Sequence, residues 1–218
     1  MRTSIYLIFA LVFFVGCDTS TPERIGLPYI GKHEVMLENA DGLKKGDTLY
    51  HTIPEFSLLT QDSTLLSRSD IAGKVWVVKF FFSTCPTICP PMTSAMKEVY
   101  EELKPFSDDV VFLAFSIDPT KDTPSRLRAY SASHEIEVDN WYFLTGDDEE
   151  EMHRLGVEGF YIHAEADPYA LGGYAHSPNF VLVDQNLHIR SIVDGLNKEE
   201  RTKLVDAVKL LLEDGTGN

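Results

Sequence analysis

The chain has 218 residues, 44% of them apolar, which is enough for one well-packed domain and an additional segment. Its 19 basic and 34 acidic residues give a formal charge of -15, so a phosphate backbone would be repelled and nucleic acid is excluded as a partner. The acidic residues are dispersed except for Asp147 to Glu151, a run that fits a solvated helix start better than a metal site.

The first elements along the chain concern export. Arg2, an apolar run from Ile5 to Val15, then Gly16 and Cys17 have the layout of an export signal. The run is shorter than the roughly 20 residues needed to cross a hydrocarbon core about 30 Å thick. Phe14-Val15-Gly16-Cys17 resembles a bacterial lipobox, with Phe14 where leucine is usual. That resemblance implies a signal over residues 1–16, a lipid on Cys17, and a domain held at a membrane of the bacterial cell envelope, outside the cytoplasm. An ordinary secretory signal with an incidental Cys17 is the alternative. Residues 17–49, with Thr, Pro, Gly and charge but no sustained period, read as a tether, apart from a short strand near His33 to Leu37.

The domain is expected over residues 50–214, with a tail at 215–218. Glu55 to Leu59 and Thr64 to Leu66 flank the turn residues Gln61-Asp62-Ser63 and predict two strands. Lys74 to Phe82, dense in Val, Trp and Phe, predicts a central buried strand. Pro90 and Pro91 followed by Met92, Met96, Val99, Tyr100 and Leu103 at helical spacing place a helix just after two cysteines. Val110 to Ile117 reads as a second core strand, and Thr123-Pro124 opens another helix. Trp141 to Leu144 predicts a strand and Asp147 to Leu155 a helix. Phe180 to Val183 and Ile189 to Val193 form a hairpin, and Glu199 to Leu212 a closing amphipathic helix. Strands alternating with helices predict an α/β fold: a central mixed sheet with helices on both faces and a C-terminal hairpin plus helix.

If Cys17 carries a lipid, Cys85 and Cys89 are the remaining thiols. A disulfide closing so small a loop removes little unfolded-state entropy, so a functional pair is the stronger reading. Cys85-Pro86-Thr87-Ile88-Cys89 lies where a core strand turns into a helix, a place where α/β sheets put their sites and where the helix dipole favours thiolate. Three residues separate the cysteines, whereas the thioredoxin redox motif has two. On a helix, positions four apart share a face, an arrangement suited to one soft ion such as Cu(I) between two sulfurs. Zinc would require more ligands. Met92 and Met96 are expected in the core rather than at the metal. Of the seven histidines, His176 stands out because it directly precedes the strand expected beside the cysteine loop.

The strand, Cys85-Pro86-Thr87-Ile88-Cys89-Pro90, Ser116-Ile117-Asp118-Pro119 with Asp122-Thr123-Pro124, and His176-Ser177 before an apolar strand together resemble the Sco/SenC family over roughly Thr52 to Leu212. The resemblance implies a thioredoxin-like fold, a membrane anchor, and copper held by Cys85, Cys89 and His176. It implies a metallochaperone rather than an enzyme, carrying Cu(I), with Cu(II) as the alternative state. The partner implied is the copper-centre subunit of cytochrome c oxidase, with another copper chaperone or a thiol reductant upstream. Asp118 is a candidate to support the metal ligands from behind without binding the ion, or simply a strand exit. Ala175 stands where family members often have Asp before the histidine, and Pro178 where thioredoxin-like proteins often have a cis-proline. Two other functions use the same sulfurs. One is a thiol-disulfide oxidoreductase acting on exported cysteines, with Cys85 and Cys89 as catalytic thiols; the other is a peroxidase-like enzyme with Cys89 as nucleophile.

Overall fold

The computed structural model describes residues 26–39 and 42–215; the expected export signal and Cys17 lie outside the described residues. In chain order, His33–Val35 (β1) and Thr48–Tyr50 (β2) pair antiparallel, and Ser57–Thr60 (β3) and Leu65–Ser67 (β4) form a hairpin. Val75–Phe81 (β5) leads through the cysteine loop into Cys89–Leu103 (α1). Val110–Ser116 (β6), Pro124–Ser133 (α2), Trp141–Thr145 (β7) and Glu149–Arg154 (α3) follow. Ala164–Ala166 (β8) pairs with Tyr174–His176 (β9), Asn179–Val183 (β10) with Ile189–Asp194 (β11), and Lys198–Gly215 (α4) closes the chain.

One seven-stranded sheet, in the order β11-β10-β5-β6-β7-β3-β4, organises the domain. β5, β6 and β7 are parallel, in register from Val75 opposite Val110 to Phe81 opposite Ser116, and β10 and β3 join them antiparallel. The mixed sheet expected from the alternation of elements is therefore observed. β5 and β6 are buried at every position because helices cover both faces. Phe81 meets Tyr130 of α2 on one face, where α1 and α4 also pack. On the other, Phe80 and Phe115 stack at 5.1 Å beneath Phe160, which follows a π-helical turn over Leu155–Gly159. Each such aromatic contributes about 2 kcal/mol by burial, and truncating Phe80 would cost about 3–5 kcal/mol.

Several local outcomes differ from the sequence reading. The helix expected over Asp147 to Leu155 is shorter, with Asp148 capping it through the Glu151 amide before the π turn takes over. β1 is the short strand expected near His33, but its partner β2 and the hairpin β8–β9 were not expected. Residues 27–30, in the segment expected as a tether, contact the last strand of the sheet. Ile30 bridges Ile189, and Arg190 donates to the Leu27 and Pro28 carbonyls while lying 4.3 Å from the Tyr29 ring. The peptide bond before Pro178 is trans, as are all peptide bonds of the described residues.

Candidate metal centre

The cysteine loop begins where β5 ends. The Cys85 amide donates to the Phe82 carbonyl at 3.2 Å, turning the chain, and Cys89 is the first residue of α1. Cys85 therefore precedes the helix, and the expectation that both cysteines share one helical face is corrected. The turn, not the helical period, brings the sulfurs together. Pro90 and Pro91 occupy the first turn, where their missing N–H groups cost nothing. The amide of Cys89 is left to face the Cys85 sulfur.

Asp122 braces this loop from the far side. Its buried carboxylate accepts from the Ser83 amide at 2.9 Å, from the Ser83 hydroxyl, and from the Ser116 hydroxyl at 2.6 Å, tying the loop to the end of β6. Beneath α1, Lys79 of β5 is fully buried and donates from Nζ to Thr93 Oγ1 at 2.5 Å. Burial pulls its pKa down to about 7, against the pull of Cys89.

His176 arrives from another direction, at the end of β9. Its Nδ1 is 3.1 Å from the Ser177 carbonyl, and a carbonyl only accepts, so Nδ1 carries the proton and Nε2 is bare in the neutral ring. Nε2 stands 3.1 Å from Cys89 Sγ. The Phe82 ring packs edge-on against the imidazole at 5.8 Å.

The sulfurs of Cys85 and Cys89 and a ring nitrogen of His176 all lie within 4.8 Å of one another. Among the described residues they are the only such group of three or more His, Cys, Asp or Glu able to hold a metal ion. Two soft sulfurs with one imidazole fit Cu(I), and the missing fourth donor is unlike a structural zinc site.

The two thiols are unequal. Burial, then the neighbouring Cys85 sulfur, pushes the Cys89 thiol up. Cys85 is held well below the usual thiol range, chiefly by the hydrogen bond from Cys89, with Thr87 and the Cys89 amide adding against the cost of burial. The pair shares one proton, and it stays on Cys89. Cys89 as an attacking thiolate, the peroxidase-like arrangement, runs against this asymmetry.

Asp118 is buried but touches neither cysteine nor imidazole. Burial raises its pKa, yet hydrogen bonds from Lys121 at 2.8 Å and Thr120 at 2.7 Å outweigh this and hold it low. Met92 and Met96 are fully buried in the core, as expected. His51, His153 and His188 are committed to backbone carbonyls. Sequence reasoning missed Asp122 as the brace; the signal available was an acidic residue four beyond Asp118, just before a helix cap. It also missed Lys79, hidden in an otherwise apolar strand.

The SCO1/SenC sequence family matches residues 44–213. The crystal structure of a SCO1/SenC family lipoprotein from Bacillus anthracis str. Ames is 30% identical, with a TM-score of 0.69, over 74% of this chain and 95% of that one. BsSco, described as a member of the Sco family of cytochrome c oxidase assembly proteins and as having a disulfide switch, is 30% identical with a TM-score of 0.66, over 73% and 92%. The copper-bound structure of Bradyrhizobium japonicum ScoI shares the fold at 22% identity and a TM-score of 0.61, over 73% and 99%.

Proposed function

We propose a function on the premise that this match establishes: the chain belongs to the SCO1/SenC family. The domain binds one Cu(I) through Cys85, Cys89 and His176 and delivers it to the copper-centre subunit of cytochrome c oxidase. The observation that carries this reading is the convergence of three metal-competent donors, from a loop, a helix start and a separate hairpin, within 4.8 Å. A thiolate at Cys85 offers the first bond. The proton on Cys89 leaves as its sulfur binds, and the bare Nε2 of His176 supplies the third ligand without losing a proton. A three-ligand site can be dismantled one ligand at a time by an incoming acceptor. A lipid on Cys17 would hold the domain at the membrane where that acceptor lies. Support for it is the Phe14-Val15-Gly16-Cys17 sequence together with a family relative described as a lipoprotein. No helix of the described residues is long and apolar enough to cross a membrane.

A second reading draws on the inequality of the thiols. The low-pKa Cys85 is placed to attack an oxidised partner's disulfide and the buried Cys89 to resolve the mixed disulfide, which would make the protein a reductase for oxidase cysteines. Copper titration separates the two. Wild type is expected to take up one Cu(I) per chain, and Cys85→Ser or Cys89→Ser to weaken it about a thousandfold, roughly 4 kcal/mol. Failure of wild type to compete with a moderate Cu(I) chelator would leave the reductase reading standing.

A further inference from the structure

β9 is weakly attached by its backbone. It pairs only with the three residues of β8, in a hairpin outside the main sheet. Nothing in its backbone pairing fixes where the His176 ring lies relative to the thiols. Ala175 offers no polar group, and Nδ1 of His176 is spent on the carbonyl of its own neighbour.

Tyr174, two residues earlier, lies in a cage drawn from three other parts of the domain. Phe82 of the cysteine loop packs on its ring at 5.2 Å, and His153 of α3 meets it edge-on at 5.7 Å. The Lys121 ammonium stands 5.7 Å from its centroid. Its hydroxyl faces two carboxylates, Asp118 after β6 and Glu149 at the start of α3. These neighbours are themselves held. Lys121 bonds Asp118 at 2.8 Å, and His153 Nε2 donates to the Ile117 carbonyl at 2.9 Å, next to Asp118. Residues i and i+2 of a strand project on the same face, so Tyr174 and His176 point together toward Phe82, which both rings contact.

We propose that Tyr174 is the positioning residue of the metal centre, fixing the hairpin through Phe82 and the Asp118–Glu149 pair so that His176 is presented to Cys85 and Cys89. The inference rests on the copper reading above and adds to it the anchor on which the third ligand depends. It also gives Asp118 a place: its carboxylate reaches the imidazole through the Tyr174 side chain and two residues of strand.

A double-mutant cycle on the full chain tests this. Cu(I) affinity is measured by chelator competition for wild type, Tyr174→Phe, Tyr174→Ala, Glu149→Gln and His176→Ala, and for each Tyr174 and Glu149 change combined with His176→Ala. Amide exchange across the hairpin is followed in the metal-free proteins. Tyr174→Phe keeps the ring contacts and loses the interaction of the hydroxyl with Asp118 and Glu149, so a loss of about fivefold is expected, with Tyr174→Ala about thirtyfold. In the His176→Ala background every one of these changes should shrink to within about twofold, because the ligand they act through is gone. Exchange at residues 174–176 should rise about tenfold in Tyr174→Phe, and Glu149→Gln should behave similarly with less risk to folding. Equal affinity in wild type and Tyr174→Ala overturns the proposal, as does a loss of the same size with and without His176. If wild type itself fails to bind Cu(I), the copper reading falls, while unchanged exchange in Tyr174→Phe and Glu149→Gln would separately overturn the anchor.

Discussion

β5 and β6 are buried at every position and each is bonded to a strand on both sides, whereas β8 and β9 pair only with each other and β9 is half-buried along its length. The thiols belong to the first region and the imidazole to the second. Cys85 and Cys89 sit at a strand-to-helix corner braced by Asp122, with Cys89 fully buried. His176 reaches them from a hairpin whose hold on the domain is made by side chains. Local stability follows the density of buried contacts, so the sulfur pair is the permanent part of the site and the histidine the part that can leave. Under the proposed copper delivery, in which the ion is both held and surrendered, this division is functional.

The comparison can be broken most severely at the corner. Asp122→Ala leaves the donors of Ser83 and Ser116 without their acceptor in a buried place, and is expected to cost about 4 kcal/mol of stability. Denaturant melting should show a lower midpoint at unchanged slope, because the folded surface is otherwise kept. A loss below about 1 kcal/mol would mean that the corner does not depend on its brace.

Lys79 offers a pH-dependent test of the same region. Its pKa is pulled down by burial from 10.5 to about 7, so between these values the unfolded chain holds a proton that the folded chain has released. The metal-free domain should therefore gain stability as pH rises from about 7 toward 10.5, by at most about 1.4 kcal/mol per pH unit from this group. The penalty for burying the charge is fully present below about pH 7. Lys79→Met should then be more stable than wild type at pH 6, by about 3 kcal/mol, and should lose this part of the slope. Urea melts of both proteins at pH 6 and pH 9 check it, and identical slopes would show that Thr93 and the Phe81 ring satisfy the ammonium after all.

The smallest effect is expected at the hairpin. Gly172 has φ +96°, and a Cβ there would lie 2.7 Å from the Phe82 ring, so Gly172→Ala must strain or lift the segment that leads into β9. A loss of about 1.5 kcal/mol is expected, with faster exchange at residues 164–176 and unchanged exchange in β5 and β6. Equal acceleration in both regions would show that they unfold as one unit.

Much of the first region is legible in the sequence. The unbroken apolar runs of β5 and β6 and the prolines after Cys89 are local signals that tertiary structure only completes. The hairpin is not legible, because Ala164 to Ala166 and Tyr174 to His176 are too short and too plain to show a period, and the glycines between them read as loop. His176 was found from its place before β10 and from the family resemblance, while Tyr174, its neighbour, carried no signal: its role depends on Asp118 and Glu149, brought together only by the fold. Lys79 shows the opposite failure. A strand composed for burial on both faces gives no warning that one position carries a charge. The helical-face argument for Cys85 and Cys89 chose two sulfurs that the fold does bring together, but for the wrong geometric reason, since Cys85 lies in the turn before the helix.

The most direct test of a permanent sulfur pair with a removable histidine is one variant measured two ways. His176→Ala should lower Cu(I) affinity about thirtyfold while leaving the urea midpoint and the reversible oxidation of Cys85 and Cys89 unchanged, and cells carrying it should fail to assemble active cytochrome c oxidase at ordinary copper supply. Unchanged Cu(I) affinity together with full oxidase activity would contradict both the ligand set and the function built on it.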